Sequence, residues 1–147
     1  MPRAEAEIEV YVAPSRCLAL LCDVQAHQGL AREIRGITVS DENRPPAEVT
    51  YAVVAHLGGQ EATTTARFGL RLEGETLRWE LLESDLLVRG EGWCRVRAGG
   101  EDDLCVLSVG VDLETRLKVP LALQEAYVRE TLPSVLERFQ DWLESMA

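Results

Sequence analysis

Apolar and polar positions alternate with a period of two over much of the chain, as in strands that bury one face. The first such segment is Glu5 to Val12, where Ile8, Val10 and Val12 share a face between acidic residues. Six more strands are predicted, separated by short turns rich in Gly, Pro, Asp and Glu. They run over Ile34 to Val39, Val49 to Leu57, Ala62 to Leu72, Thr76 to Leu82, Leu87 to Arg97 and Leu104 to Asp112.

Two segments have the period of a helix instead. Pro14 suits the first position of a helix, and the apolar spacing after it predicts about three turns ending near Ala26. A second short turn is predicted over Gln28 to Arg32. A long C-terminal helix opens at Pro120, and Pro133 inside it predicts a bend or a restart capped by Thr131. The apolar stripe of this helix consists of Val128, Leu132, Val135, Leu136, Phe139, Leu143 and Met146.

The connections between the six later strands are too short for the crossover helices that parallel pairing needs. The sheet is therefore predicted to be an antiparallel meander, and the fold class is α+β. The C-terminal helix is the one large apolar element left to cover the inner face. Because a single helix often leaves space against a curved sheet, the pattern favours a cavity in a single domain over residues 1–147.

The amino-acid composition and net charge limit the classes of binding partner that are expected. With 46% hydrophobic and 27% charged residues, the chain is typical of soluble globular proteins, and its net charge of −10 makes nucleic acid an unfavourable partner. Neither a secretory signal nor an integral membrane segment is predicted, so a cytoplasmic location is expected. The four cysteines, Cys17, Cys22, Cys94 and Cys105, form no C-x-x-C pair, so free thiols and no metal or other cofactor are expected.

The order of strand, helix pair, six strands and long helix resembles the START-like helix-grip superfamily (SRPBCC), most closely its polyketide cyclase/dehydrase and coenzyme Q-binding branch. The resemblance covers nearly the whole chain. It depends on five dipeptides: Ala13-Pro14, Asp23-Val24, Gly92-Trp93, Val111-Asp112 and Val119-Pro120. Two departures stand out. His27, Gln28 and Leu30 replace an aromatic, a proline and a tryptophan common in the family, and Arg95 stands where an apolar residue is usual.

The resemblance implies a START/Bet v-like helix grip, in which a curved seven-stranded antiparallel sheet wraps around the C-terminal helix. The space between them would hold a lipid, an isoprenoid quinone, a polyketide or another hydrophobic molecule. Some relatives are cyclases or aromatases, many only bind or transport lipids, and some associate with ribosomes. The implied lining includes Phe68 on the inner face of its strand and Leu132 and Leu136 on the helix stripe.

Aromatic and charged residues supply the remaining candidates. Trp79 and Trp93 could stack on a flat ligand or simply fill the core. Arg95 could anchor a carbonyl, phenolate or carboxylate in the cavity, or be a solvated residue among charges of the same parity. Tyr51 and His56 lie on opposite parities of one strand, so at most one points inward as an acid or base. His27 could be a base or a lid residue.

Three functions are compatible with these residues. The first is non-enzymatic binding of a hydrophobic small molecule, because no convergent set of acids, bases or nucleophiles is evident. The second is an enzyme of the cyclase/dehydrase or aromatase type that positions its substrate in a dry cavity. The third is a module that associates with ribosomes or other proteins. The helix stripe could also form the seam of a homodimer.

Overall fold

The computed structural model describes residues 3–29, 34–39, 45–57, 60–116 and 120–146. Its elements follow the predicted order of strand, helix, six strands and long helix. A 3₁₀ helix over Val24–Gly29 follows the first helix. The elements are β1 (Arg3–Val10), α1 (Pro14–Cys22), β2 (Ile34–Val39), β3 (Ala47–Leu57), β4 (Gln60–Glu73), β5 (Thr76–Ser84), β6 (Leu87–Ala98), β7 (Cys105–Thr115) and α2 (Leu121–Met146).

The seven strands form one curved antiparallel sheet in the order β1-β7-β6-β5-β4-β3-β2. Strands β2 to β6 each pair with the next strand in sequence, which confirms the predicted meander. β1 joins the far edge by pairing with β7 from Arg3 opposite Asp112 to Val10 opposite Cys105. The pairing register shifts between Ile34 and Gly36, between Arg67 and Phe68 and between Leu87 and Arg89. Such irregularities, of which β-bulges are the common form, bend strands and increase their twist.

The helix pair after β1 differs from the prediction in its bounds. Pro14 begins α1 as expected, but the helix ends at Cys22 because Asp23 is extended, with φ −82° and ψ 90°. The backbone N–H of Asp23 then donates to the carbonyl of Leu20, and that of Ala26 donates to the carbonyl of Asp23. A 3₁₀ helix covers Val24–Gly29 and so includes the first two residues of the turn predicted over Gln28 to Arg32, whereas residues 30–33 lie outside the described residues.

Helix α2 is continuous through Pro133, so the predicted restart at Thr131 is absent. Pro133 is exposed, and carbonyls on the solvent side of a long helix can turn to water when their helical donor is missing. The opposite stripe is buried through Leu132, Leu136 and Leu143. This part of the stripe packs on the chain's own sheet and α1, and a homodimer seam on this helix stays a prediction.

The core lies where α1 and α2 pack on the inner face of β1, β6 and β7. Leu107 and Leu143 are fully buried there, and each such leucine contributes about 1.5–3 kcal/mol of burial free energy. Cys105, Leu107 and Val109 all face inward, which confirms the predicted inner face of β7.

All four cysteines are free and buried. Cys94 lies opposite Val109, whereas Cys105 lies opposite Ala98, because the loop between β6 and β7 is longer than two residues. Burial raises the pKa of the Cys94 thiol to about 12. Burial raises the pKa of the Cys17 and Cys105 thiols as well, so these three thiols are protonated at neutral pH. All four cysteines act as small core residues.

Candidate ligand-binding cavity

A cavity of about 210 Å³ lies between the inner face of the sheet and the helices. Its wall comes from α1, the 3₁₀ helix, strands β2 to β7 and α2, so every layer of the fold contributes. Most of the lining is aliphatic or aromatic. The lining residues are Leu21, His27, Ile34, Tyr51, Phe68, Leu70, Leu77, Trp79, Cys94, Val109 and Phe139.

Strand pairing brings three of the predicted residues together. Phe68 faces Val49 on one side and Leu81 on the other, and Tyr51 lies two positions along from Val49 on the same face. The rings of Tyr51 and Phe68 meet edge to face, with centroids 6.0 Å apart. Trp79 is also inward, so Tyr51, Phe68 and Trp79 form one aromatic side of the cavity.

Trp79 has room for its indole because its cross-strand neighbour is Gly92. A Cβ atom added at Gly92 would lie 2.5 Å from Cζ2 of Trp79 and 2.5 Å from the carbonyl oxygen of Gly110. Both distances are far below van der Waals contact. The indole therefore lies on bare backbone, and this glycine fixes its position at the edge of the cavity.

His27 holds the one hydroxyl in the described lining. Its Nε2 lies 2.7 Å from the carbonyl oxygen of Leu21, and its Nδ1 lies 3.0 Å from the hydroxyl of Tyr51. The ring also meets Trp142 edge to face, with centroids 6.1 Å apart. His27 is thus a buried bridge between α1, α2 and β3, with one nitrogen bound to backbone and the other to Tyr51.

Burial keeps both members of this pair neutral. It lowers the pKa of His27, against the smaller opposing effects of the Leu21 carbonyl and the Asp23 carboxylate. It raises the pKa of the Tyr51 hydroxyl well above its ordinary value. At neutral pH the cavity therefore contains an uncharged imidazole and an uncharged phenol.

The His27 pKa predicts how stability depends on pH. The unfolded chain binds a proton at His27 near its ordinary pKa of 6.5, whereas the folded chain does so only at lower pH. Stability is therefore lost as pH falls below about 6.5, by at most about 1.4 kcal/mol per pH unit. Urea unfolding at pH 7.5 and 5.5 should show a smaller loss for His27→Gln than for the wild type. An equal loss in both proteins would contradict this assignment.

The structure corrects two of the predicted cavity residues. Trp93 and Arg95 have the opposite parity to Cys94 and Val96 in β6, so they lie on the outer face of the sheet. The Trp93 indole covers Gly110, where an added Cβ atom would lie 2.4 Å from its Nε1 atom. Arg95 is exposed opposite Ser108. Arg95 is therefore the solvated residue of the two alternatives, and neither side chain shares the inner cavity.

The other predicted residues are placed as follows. Leu132 and Leu136 are buried at 5% and 3% exposure, but they pack in the core beside the cavity and are not among its lining residues. The side chain of His56 lies outside the described residues. On β3, the side chain of Tyr51 lines the cavity.

Sequence reasoning left out most of the shell around these aromatics. The pattern already indicated that some of these side chains point inward: Leu70, Leu77 and Val109 lie on the apolar faces of their strands, and Phe139 lies in the apolar stripe of α2. The contact between His27 and Tyr51 was not, because it joins a 3₁₀ segment to a strand 24 residues later.

A larger depression of about 650 Å³ lies around Trp93. Most side chains along it belong to the outer face and are charged, including Arg71, Arg78, Glu80 and Glu91. Arg71 and Arg78 both pair with Glu73. Because charged side chains line much of this depression, it lacks the apolar wall that the smaller inner cavity offers to an apolar ligand.

These features define a START-like helix-grip fold: a seven-stranded antiparallel sheet around a long C-terminal helix, with a short helix after the first strand. The chain is similar to a START superfamily protein from Mycobacterium smegmatis, with 19% identity over 99% of both chains and a TM-score of 0.82. It is also similar to the Zhui aromatase/cyclase from Streptomyces sp. R1128, with 19% identity over 97% of this chain and 88% of that one and a TM-score of 0.64.

A third similar structure is ginseng major latex-like protein 151 from Panax ginseng, with 11% identity, 98% and 95% coverage and a TM-score of 0.67. At such identities the likeness is one of fold. No protein-family model and no curated protein sequence matches the chain. Within the described ranges, no helix is long and apolar enough to cross a membrane, and no group of three or more His, Cys, Asp or Glu residues could hold a metal ion.

Proposed function

We propose that the protein binds a small, largely apolar molecule in the inner cavity. The observation that carries this proposal is the cavity itself, about 210 Å³ with a nearly continuous apolar wall and one hydroxyl fixed by His27. Ligand sites are typically concave and apolar with a few placed polar groups. The helix-grip fold of proteins that include an aromatase/cyclase supports the same proposal.

The volume favours a ligand of about one substituted ring. Cavities for drug-sized ligands are usually about 300–1,000 Å³, whereas a dry cavity of about 150 Å³ can hold a single benzene. A polycyclic polyketide, a lipid chain or the isoprenoid tail of a quinone exceeds this volume, so part of it would have to extend out of the pocket or the described wall would have to move apart. Among the hydrophobic molecules expected from the sequence, compact aromatic compounds fit this wall best.

Ethylbenzene is a suitable first probe because it has one ring, no charge and no hydrogen-bonding group. Isothermal titration calorimetry of the wild type should show saturable one-to-one binding, with a dissociation constant on the order of 0.01–1 mM. Native mass spectrometry and solvent extraction of the purified protein should show whether a compact aromatic molecule is carried from the host. An absence of binding to ethylbenzene and to related monocyclic probes would contradict the proposal.

A second candidate function is an enzyme of the cyclase/dehydrase type, and the His27–Tyr51 pair is the observation that favours it. The two groups touch and both line the cavity, as an acid–base pair would. Their pKa values are displaced away from neutrality in opposite directions, however, which disfavours proton transfer between them. Turnover of an enolisable aromatic ketone that disappears in Tyr51→Phe would favour the enzyme over simple binding.

A further inference from the structure

We infer that the cavity prefers uncharged ligands that donate a hydrogen bond, of which a simple phenol is the type, because Tyr51 presents an acceptor rather than a donor to the bound molecule. This inference rests on the proposed binding function and specifies its ligand class. It follows from the direction of two hydrogen bonds at His27.

The first bond fixes the tautomer of His27. A backbone carbonyl can only accept, so the 2.7 Å contact between Nε2 and the oxygen of Leu21 requires a proton on Nε2. Since the buried imidazole is neutral, Nδ1 carries no proton and is an acceptor.

The second hydrogen bond, between His27 and Tyr51, then uses the only proton of the Tyr51 hydroxyl. With Nδ1 as an acceptor 3.0 Å away, the Tyr51 hydroxyl is the donor in that pair. A hydroxyl has one proton and two lone pairs. The Tyr51 oxygen therefore still has a lone pair that can accept a hydrogen bond from a molecule in the cavity. A ligand can use this lone pair only if it has a donor of its own.

The other polar groups of the described lining do not alter this preference. The thiol of Cys94 is at best a weak donor or acceptor. The indole N–H of Trp79 can only donate, so it offers no acceptor to a ligand that brings its own donor. Both nitrogens of His27 are already bonded. Among the side chains of the described lining, the Tyr51 oxygen is therefore the strong acceptor left for a ligand.

Charged ligands are disfavoured by the same wall. A carboxylate moved into an apolar cavity loses its hydration and needs a cation to replace it. The described lining contains no arginine or lysine, and Arg95, the predicted anchor, is exposed on the outer face. The inferred ligand is therefore a neutral phenol or alcohol with a compact apolar body.

The test compares three probes of matched shape by calorimetry: 4-ethylphenol, which can donate; 4-ethylbenzaldehyde, which can only accept; and ethylbenzene, which can do neither. For each protein, the association constants of the first two are divided by that of ethylbenzene, which removes the common apolar contribution. In Tyr51→Phe, the phenol ratio should fall about five- to tenfold relative to the wild type. The aldehyde ratio should stay the same or rise.

The outcomes separate the two proposals. Binding of ethylbenzene with an unchanged phenol ratio in Tyr51→Phe would overturn this inference and leave the binding function intact. A fall in the aldehyde ratio would also overturn it, because it would show that Tyr51 donates to the ligand. Binding of none of the three probes would overturn the proposed function together with the inference.

Two His27 variants test its role as a positioning residue. In His27→Leu the Tyr51 proton is released, so the preference should shift from the phenol toward the aldehyde. His27→Gln offers an amide N–H to Leu21 and an amide oxygen to Tyr51, so it should restore the phenol preference. Equal ratios in both variants would contradict the role of His27. If His27→Leu does not fold, the wild-type and Tyr51→Phe ratios still decide the inference.

Discussion

Replacement of Gly92 by alanine is expected to lower the free energy of unfolding by about 1–3 kcal/mol, because it forces a methyl group into occupied space. The new carbon would lie 2.5 Å from the carbonyl oxygen of Gly110 and from the Trp79 ring. The backbone oxygen cannot move without disturbing the pairing of β6 and β7, so Trp79 should be displaced toward the cavity. Urea unfolding monitored by circular dichroism measures the loss, and ethylbenzene affinity should fall with it.

Gly100→Ala is the matched control for this substitution. Gly100 lies exposed in the loop before β7, and an added Cβ atom there would meet nothing within 4 Å. Its stability should stay within about 0.5 kcal/mol of the wild type. If Gly92→Ala were as stable as Gly100→Ala, the close packing of Trp79 on the backbone of β6 would be wrong.

Replacement of Val109 by phenylalanine is expected to weaken ethylbenzene binding at least about tenfold while leaving the fold intact. Val109 lines the cavity from β7, so the larger ring has unoccupied volume in which to lie. A large side chain in a filled core usually costs about 1–3 kcal/mol, whereas here the loss should be below about 1 kcal/mol. Calorimetry and urea unfolding together measure the two effects.

Val96→Phe makes the same change where the core is filled. Val96 is 2% exposed on the inner face of β6, opposite Leu107, and is not among the cavity-lining residues. This variant should lose about 1–3 kcal/mol of stability. Equal destabilisation by the two substitutions, with unchanged affinity in Val109→Phe, would show that the space beside Val109 is not a usable ligand site.

The sheet and its faces were predictable because two local signals agree along most strands. Leu77 and Trp79 alternate with charged residues, and turns of two or three residues leave antiparallel pairing as the only connection. The same agreement placed the stripe of α2, where Leu132, Leu136 and Leu143 are buried. Both faces of strand β7 are apolar, so alternation alone did not decide its orientation. The longer apolar set, which begins with Cys105, was correctly predicted to face inward.

The site was harder to predict because the size of a side chain can favour the inner face of the sheet while its position in the strand alternation favours the outer face. Trp93 is large and lies in a dipeptide typical of the family, and both features favoured a position in the cavity. In the alternation of β6, however, it falls on the same face as Glu91 and Arg95, which point outward. Gly110 directly opposite resolves the disagreement, since a glycine can be covered by an indole on the outer face. That signal requires the register of β6 and β7, which the length of the loop left undecided.

The recognition pair could not be found from periodicity. His27 lies in a 3₁₀ segment whose direction is set by the extended Asp23, and its partner Tyr51 is on a strand near the other edge of the sheet. Only the three-dimensional structure shows that one nitrogen is bound to the Leu21 carbonyl and the other to the Tyr51 hydroxyl. Both residues were separate candidates from the sequence, but the contact between them, on which the chemistry of the cavity depends, was not predicted.

The central claim is that a compact aromatic molecule binds inside the sheet and not on its outer face. Intermolecular nuclear Overhauser effects between ethylbenzene and the protein's aromatic protons test this claim most directly. The account predicts contacts to Tyr51 and Phe68, which line the inner cavity and not the outer depression. Contacts confined to Trp93 on the outer face, or no contacts at saturating ethylbenzene, would contradict it.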